Sequence, residues 1–211
     1  WTVISDTYIG HNRLSIQGLN EESNQPMTID SFTLVYNGEL WKSMNQYKNQ
    51  FDLKTGSDTE LLLKLYVSEK EQCIQNLDGM FGFAVLDQSD KSIVFARDFM
   101  GRIPLYYYMI DKKIVIASEL KSITHSLGIN ASEVEIVEPG CYYNFDYETG
   151  HLQKTQFYSF PDANIIDDMT EDVITTNIKT LLSSAVDNEL ISDVPVCTIC
   201  LLYTSDAADE V

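Results

Sequence analysis

The chain has 211 residues, 44% of them hydrophobic and 22% charged, a composition that supplies a globular core in one ordinary domain plus part of another. Its 32 Asp and Glu outnumber 14 Lys and Arg, for a net charge of −18. Phosphate backbones and anionic lipid surfaces would be repelled, which argues against nucleic acid and membrane partners. No apolar run is long enough to span a bilayer, and the four cysteines read as residues of a reducing, cytoplasmic protein rather than as a disulfide scaffold.

In chain order, residues 31–36 read as a short strand rich in β-branched and aromatic side chains, with Asn37-Gly38-Glu39 in a turn at its end. Ser57-x-x-Glu60 has the form of a capping box. It predicts a helix that begins its apolar face with Leu61, Leu62, Leu63 and Leu65 and runs to about Glu69. A second helical segment is expected over 71–77 and holds Cys73 as a small buried hydrophobe. Strands are expected over 79–87, 92–97, 105–110 and 113–117, paired as antiparallel hairpins through Gln88-Ser89-Asp90 and Asp111-Lys112. A further hairpin joins 141–146, with Cys141, to 151–157. The acidic stretch 162–168 reads as a linker, after which Thr170 would cap a helix carrying Ile174, Ile178, Leu181, Leu182, Ala185, Val186 and Leu190 at helical spacing. The resulting class is α+β, with antiparallel sheets and helices on their outer faces.

Taken singly, the polar candidates are ordinary. Arg13 suits a surface ion pair, Asn37-Gly38 is a turn signal, and Asp58 complements the dipole of a helix first turn. His11, His125 and His151 have no ligand spacing. Cys197-x-x-Cys200 is one pair where zinc would need two.

In combination the motifs point one way. His11-Asn12-Arg13-Leu14-Ser15-Ile16, Asn37-Gly38-Glu39 and Gly56-Ser57-Asp58 are followed by Leu77-Asp78-Gly79-Met80-Phe81-Gly82-Phe83-Ala84 and by the stretch from Arg97-Asp98 to Tyr107. Five segments in this order resemble the glutaminase half of the glutamine-hydrolysing asparagine synthetases, over about Trp1 to Val196. The resemblance implies the four-layered αββα sandwich of the N-terminal-nucleophile hydrolases. It implies a cysteine nucleophile whose own α-amine, with a pKa near 8, serves as base. Asn37 and Gly38 match the oxyanion hole, where each donor is worth about 2.7–4 kcal/mol. Arg13 matches the clamp on the glutamine carboxylate, and Asp58 the partner of its ammonium. Leu14, Ser15, Ile16, Gln17 and Glu39 line the same pocket. Arg97, Asp98 and Gly101 mark the family and are expected to act structurally, through a buried ion pair and a tight turn.

The chain departs from the family after the contact residues, reading Asn37-Gly38-Glu39-Leu40-Trp41-Lys42 where N-G-E-I-Y-N is common. The nucleophile and the R-G-P-D segment ahead of Trp1 are absent, so the chain is expected to be a fragment without glutaminase activity of its own. The expected layout is a glutaminase domain over 1–160, then a linker and first helix of a synthetase domain over 161–196, and a sequencing-adapter scar over 197–211. Cys200 to Glu210 reads as the in-frame translation of a library adapter. By resemblance the partners are glutamine here and aspartate with ATP in the complete enzyme. ATP and Mg²⁺ belong to the absent domain, no cofactor or metal belongs to this stretch, and a homodimer is left open. A synthetase-like enzyme acting on another carboxylate and a non-catalytic glutamine-binding module are the alternatives.

Overall fold

A computed structural model of the chain describes residues 1–4, 6–47, 49–161 and 170–197. Two short strands, β1 (Thr2–Ile4) and β2 (Thr7–Ile9), pair with each other, then β3 (Met27–Ile29) leads into β4 (Phe32–Glu39). Helices α1 (Trp41–Tyr47) and α2 (Asp58–Glu69) follow, and a 3₁₀ turn over Lys70–Asn76 leads to β5 (Met80–Asp87) and β6 (Ser92–Arg97). Next come β7 (Tyr106–Ile110), β8 (Lys113–Ala117), α3 (Leu120–Leu127), β9 (Glu135–Ile136), β10 (Cys141–Asp146), β11 (His151–Gln156) and α4 (Glu171–Glu189).

Six strands form an antiparallel sheet in the order β11-β10-β6-β5-β4-β3, and three form a second sheet in the order β8-β7-β9. The strand period of two assigns the faces. Phe32, Leu34 and Tyr36 of β4, Phe81, Phe83 and Val85 of β5, and Val94 and Ala96 of β6 pack under Leu61, Leu62, Leu65 and Tyr66 of α2 and Met44 of α1. On the other face Phe95, Cys141, Tyr143 and Phe145 pack against Leu105, just before β7, and against Tyr107, Ile114 and Ile116 of the smaller sheet. Helix α3 covers β7 and β8, with Ile123 fully buried. The stacking is helix, sheet, sheet, helix. Because β5 is covered on both faces, its sequence is almost continuously apolar instead of alternating. Each fully buried leucine of α2 is worth about 1.5–3 kcal/mol.

Several local expectations are modified. Ser57 caps α2 by accepting from Glu60 N–H at 3.2 Å, but Glu60 completes no capping box. Its carboxylate takes the N–H groups of Lys54 and Thr55 at 3.0 and 2.7 Å and so ties down the loop before the helix. Arg97 and Asp98 are buried, but they do not pair with each other. The guanidinium donates to the carbonyls of Gly101, Ile103 and Val137, while the Asp98 carboxylate accepts from the N–H groups of Phe81, Met100, Arg102 and Ile103. Both residues satisfy the backbone of one tight loop, which a direct ion pair would leave unpaired. Thr170 stands at the N-cap of α4 without a side-chain cap bond, and Ile178, Leu181, Leu182 and Val186 along that helix are exposed. Helix α4 meets α1, and Arg102 bonds to Glu189 at 3.3 Å. The linker expected over 162–168 and, apart from Cys197, the adapter scar expected over 197–211 lie outside the described residues.

Candidate active site

Asn37, Gly38 and Glu39 do not form a turn. They are the last residues of β4, paired opposite Gly82, Phe81 and Met80 of β5. Asn-Gly turn chemistry loses here to a full antiparallel ladder, and Gly38 makes the ladder possible. Its φ is +149°, and a Cβ would lie 2.0 Å from the Met80 carbonyl oxygen, so no side chain fits. Phe81 turns its N–H and C=O toward Asp98, at 3.2 and 2.9 Å. Gly38 and Phe81 therefore face each other as a non-hydrogen-bonded pair, and Gly38 directs its own polar groups outward from β5. Two residues earlier Tyr36 does the same. Its N–H and C=O are taken by the side-chain amide of Gln25, at 2.6 and 2.9 Å, just ahead of the start of β3.

Asp58 opens α2, and Ser57 caps it. Its carboxylate is 6% exposed and accepts on Oδ2 from the Tyr36 hydroxyl at 2.9 Å and Leu40 N–H at 3.2 Å. Among the described residues no basic side chain pairs with it. Burial raises its pKa above the ordinary carboxylate value, against the hydrogen bonds that hold it down. Glu39 lies close enough to feel that charge. Burial and Asp58 together push Glu39 up to about 7, although Gln17 Nε2 donates to it at 2.5 Å. Two acidic groups thus share one recess without a counter-ion among the described residues, an arrangement that favours a cationic ligand.

Arg13 sits on the loop before β3. Nη1 donates to the carbonyl of Asn20 and the side chain of Asn24, and Nη2 to the carbonyls of Gln17, at 2.7 Å, and Gly18. In this state the guanidinium shapes its own loop. Burial of the ring, with the Arg13 charge adding to it, holds His11 below its ordinary pKa, partly offset by the Tyr36 backbone.

These pieces meet in one cleft of ≈ 220 Å³. Of the sequence-predicted residues, Arg13, Leu14, Ile16, Gln17, Asn37, Gly38, Glu39 and Asp58 line it. Ser15 does not; it is exposed on the outer side of the loop. Sequence reasoning missed Tyr36, Gln25 and Thr59, which also line the cleft. Strand alternation could have placed Tyr36 on the α2 face; nothing in the sequence marks Gln25. His11, Tyr36 and Asn37 also border a second cavity of ≈ 180 Å³ between the sheets. The Nδ1 of His11 is buried with no hydrogen-bond partner among the described residues. Cys73 and Cys141 are buried, Cys197 is exposed, and none of the three lines the cleft. Burial pushes the Cys73 thiol up to about 12, which makes it inert. No group of three or more metal-ligating side chains is found among the described residues, and no described helix is long and apolar enough to cross a membrane.

Asparagine synthetase [glutamine-hydrolyzing] 3 of Bacillus subtilis is 29% identical, over 90% of this chain and 35% of its own length. Asparagine synthetase B [glutamine-hydrolyzing] of Escherichia coli is 29% identical, over 89% of this chain and 33% of its own. The chain therefore spans about a third of the length of these curated relatives. The glutamine phosphoribosylpyrophosphate amidotransferase of B. subtilis superposes with a TM-score of 0.56 at 22% identity, covering 71% of this chain and 34% of that one. That likeness shows the fold, a four-layered αββα sandwich. The family model described as a glutamine amidotransferase domain matches residues 1–157, and by that match the chain belongs to the glutamine amidotransferase family, with the glutaminase domains of asparagine synthetases as its homologues.

Proposed function

We propose that the cleft binds L-glutamine and that the complete protein is an ATP-dependent asparagine synthetase, in which this region releases ammonia for amidation of aspartate. The observation that carries the reading is the polarity of the cleft. A buried carboxylate without a cationic partner among the described residues, Asp58, lies beside Glu39 at one side, and Arg13 supplies a guanidinium to the lining of the same space. A free amino acid presents the complementary pair, an ammonium for Asp58 and Glu39 and a carboxylate for Arg13. To take the carboxylate, Arg13 must exchange some of its bonds to the loop carbonyls for ligand bonds.

With the amino-acid end gripped, the side-chain amide extends toward Asn37 and Gly38. Attack by a thiolate on that amide carbon creates an oxyanion. The Asn37 carboxamide and the outward Gly38 N–H would donate to it. The α-amine that took the thiol proton returns it to the leaving nitrogen, so collapse of the intermediate expels ammonia and leaves a thioester for water to hydrolyse. Among the described residues no cysteine lines the cleft; by resemblance to the family the thiol is assigned to an N-terminal cysteine of the complete protein, and the chain itself is expected to bind without turnover. In the complete protein, residues 161–196 begin the synthetase domain, where ATP, Mg²⁺ and aspartate act, and the setting is the cytoplasm. No residue of this chain is assigned to ATP or Mg²⁺.

The test is calorimetric titration of the chain with L-glutamine, and with glutaramate, which lacks the ammonium. L-glutamine should bind, and glutaramate at least about tenfold more weakly, a difference of about 1.4 kcal/mol. In the complete protein Arg13→Ala should raise the glutamine KM, and Asn37→Ala should lower kcat more than it raises KM. Equal binding of the two compounds would overturn the reading.

A further inference from the structure

The loop that carries Arg13 is held from a second side by a residue far along the chain. Gly18 N–H donates to the Asp193 carboxylate at 2.7 Å. Asp193 N–H in turn donates to the Ile16 carbonyl at 2.9 Å. The segment around Asp193 is braced on itself, since Ser192 Oγ bonds both the N–H and the C=O of Val194, at 3.1 and 2.9 Å.

Gly18 is where several parts of the cleft meet. Its carbonyl accepts from Arg13 Nη2. Its φ is +64°, and a Cβ there would stand 2.7 Å from both Ser23 Oγ and Ser57 Cβ. Ser57 is the N-cap of the helix that opens with Asp58. One residue thus bonds the guanidinium through its C=O and Asp193 through its N–H, and lies so close beside the N-cap of the Asp58 helix that no side chain would fit between them.

We propose that Asp193 is a positioning residue for the glutamine cleft, coupling the segment after α4 to ligand occupancy through Gly18. The inference rests on the reading of the cleft as a glutamine site. A ligand carboxylate that recruits Arg13 draws the guanidinium from the Gln17 and Gly18 carbonyls. Without a second anchor the Gly18 peptide would then be free to rotate, and the loop would lose its shape as the ligand arrives. The Asp193 carboxylate keeps the N–H side fixed, so the loop stays organised while Arg13 changes partners. Linkage makes the effect reciprocal. If Asp193 strengthens ligand binding, the ligand strengthens the docking of residues 191–197 by the same factor.

The experiment uses the full chain with L-glutamine as probe. Asp193→Ala should weaken binding about tenfold, equivalent to about 1.4 kcal/mol. Asp193→Asn keeps a neutral acceptor for Gly18 N–H and should fall between. Amide exchange gives the readout that a merely structural role would not move. In the unsubstituted chain L-glutamine should slow exchange at Gly18 and Asp193, and in Asp193→Ala the ligand should no longer slow exchange across 191–197. If Asp193→Ala lowers global stability, the same comparison is read on Asp193→Asn. Failure of the unsubstituted chain to bind L-glutamine would overturn the reading of the cleft and this inference with it. Binding that is unchanged within about twofold in both variants, with ligand-dependent protection of 191–197 intact, would overturn this inference alone.

Discussion

The hydroxyl of Tyr36 donates to Oδ2 of Asp58 at 2.9 Å in the buried floor of the cleft, where Tyr36 is 3% exposed and Asp58 6%. The bond joins the central sheet to the first turn of α2 and supports a carboxylate that has no cation beside it among the described residues. Burial drives the Tyr36 pKa upward, and the Asp58 charge drives it further, so the phenol remains a donor at every physiological pH. Tyr36→Phe would leave Oδ2 with Leu40 N–H alone. Loss of a donor to a buried charged group predicts destabilisation of about 1–3 kcal/mol and weaker L-glutamine binding. Urea unfolding and calorimetry on the same variant check both parts.

Asp58→Asn separates stability from function. The raised pKa means that the fold disfavours the ionised carboxyl. An asparagine of the same shape still presents an oxygen to Tyr36 and Leu40 but carries no charge into the recess. The variant should gain about 0.5–2 kcal/mol of stability, as expected when a site strained for function is relaxed. It should lose L-glutamine binding. A variant that binds normally, or that is less stable at neutral pH, would contradict this account of the recess.

Glu39 gives a pH dependence whose sign follows from its direction of shift. Its folded value, about 7, lies above the ordinary 4.5, so between the two the folded protein holds a proton that the unfolded chain releases. Its contribution to stability is present below the unfolded value and is lost as pH rises through about 7. Ligand affinity runs the other way. An ammonium ligand favours the ionised carboxylate, so L-glutamine affinity should rise from about pH 5.5 to about pH 8 and then level off. Glu39→Gln should flatten that profile. Calorimetry across the range decides it.

Some of this site could be read in the sequence, and the boundary has physical causes. The hairpins over 92–97, 113–117 and 141–146 coincide with observed strands because period-two patterning and turn residues agree there. The short α1 has no capping signal, and β1, β2 and β3 have three residues each, too few to show a period. Asn37-Gly38 misleads because its local turn preference is overridden by a ladder with β5, a strand far along the chain. Arg13 and Asp58 could be named from motif spacing, but their surroundings could not. The carbonyls that hold Arg13 come from the path of the backbone, and the burial of Asp58 comes from the packing of α2 on β4.

Gly38 provides the sharpest mutational test of that ladder. Gly38→Ala would place a Cβ 2.0 Å from the Met80 carbonyl and 2.8 Å from the Phe81 Cα, at a φ of +149° that alanine resists. Neither obstacle is a flexible side chain, so β4 and β5 must separate locally. Backbone strain of this kind costs about 1–3 kcal/mol, and the disturbed pairing adds to it. Gly56 is the control, with φ +69° and nothing within 4 Å of where a Cβ would stand. Gly56→Ala should cost only about 1 kcal/mol, from its left-handed backbone alone. The two variants should therefore differ clearly in urea midpoint. Gly38→Ala should also bind L-glutamine more weakly, because Asn37 and Glu39 flank the distorted residue and both line the cleft. Equal stability of the two variants would mean that the close approach of β4 to β5 at Gly38 does not hold in solution.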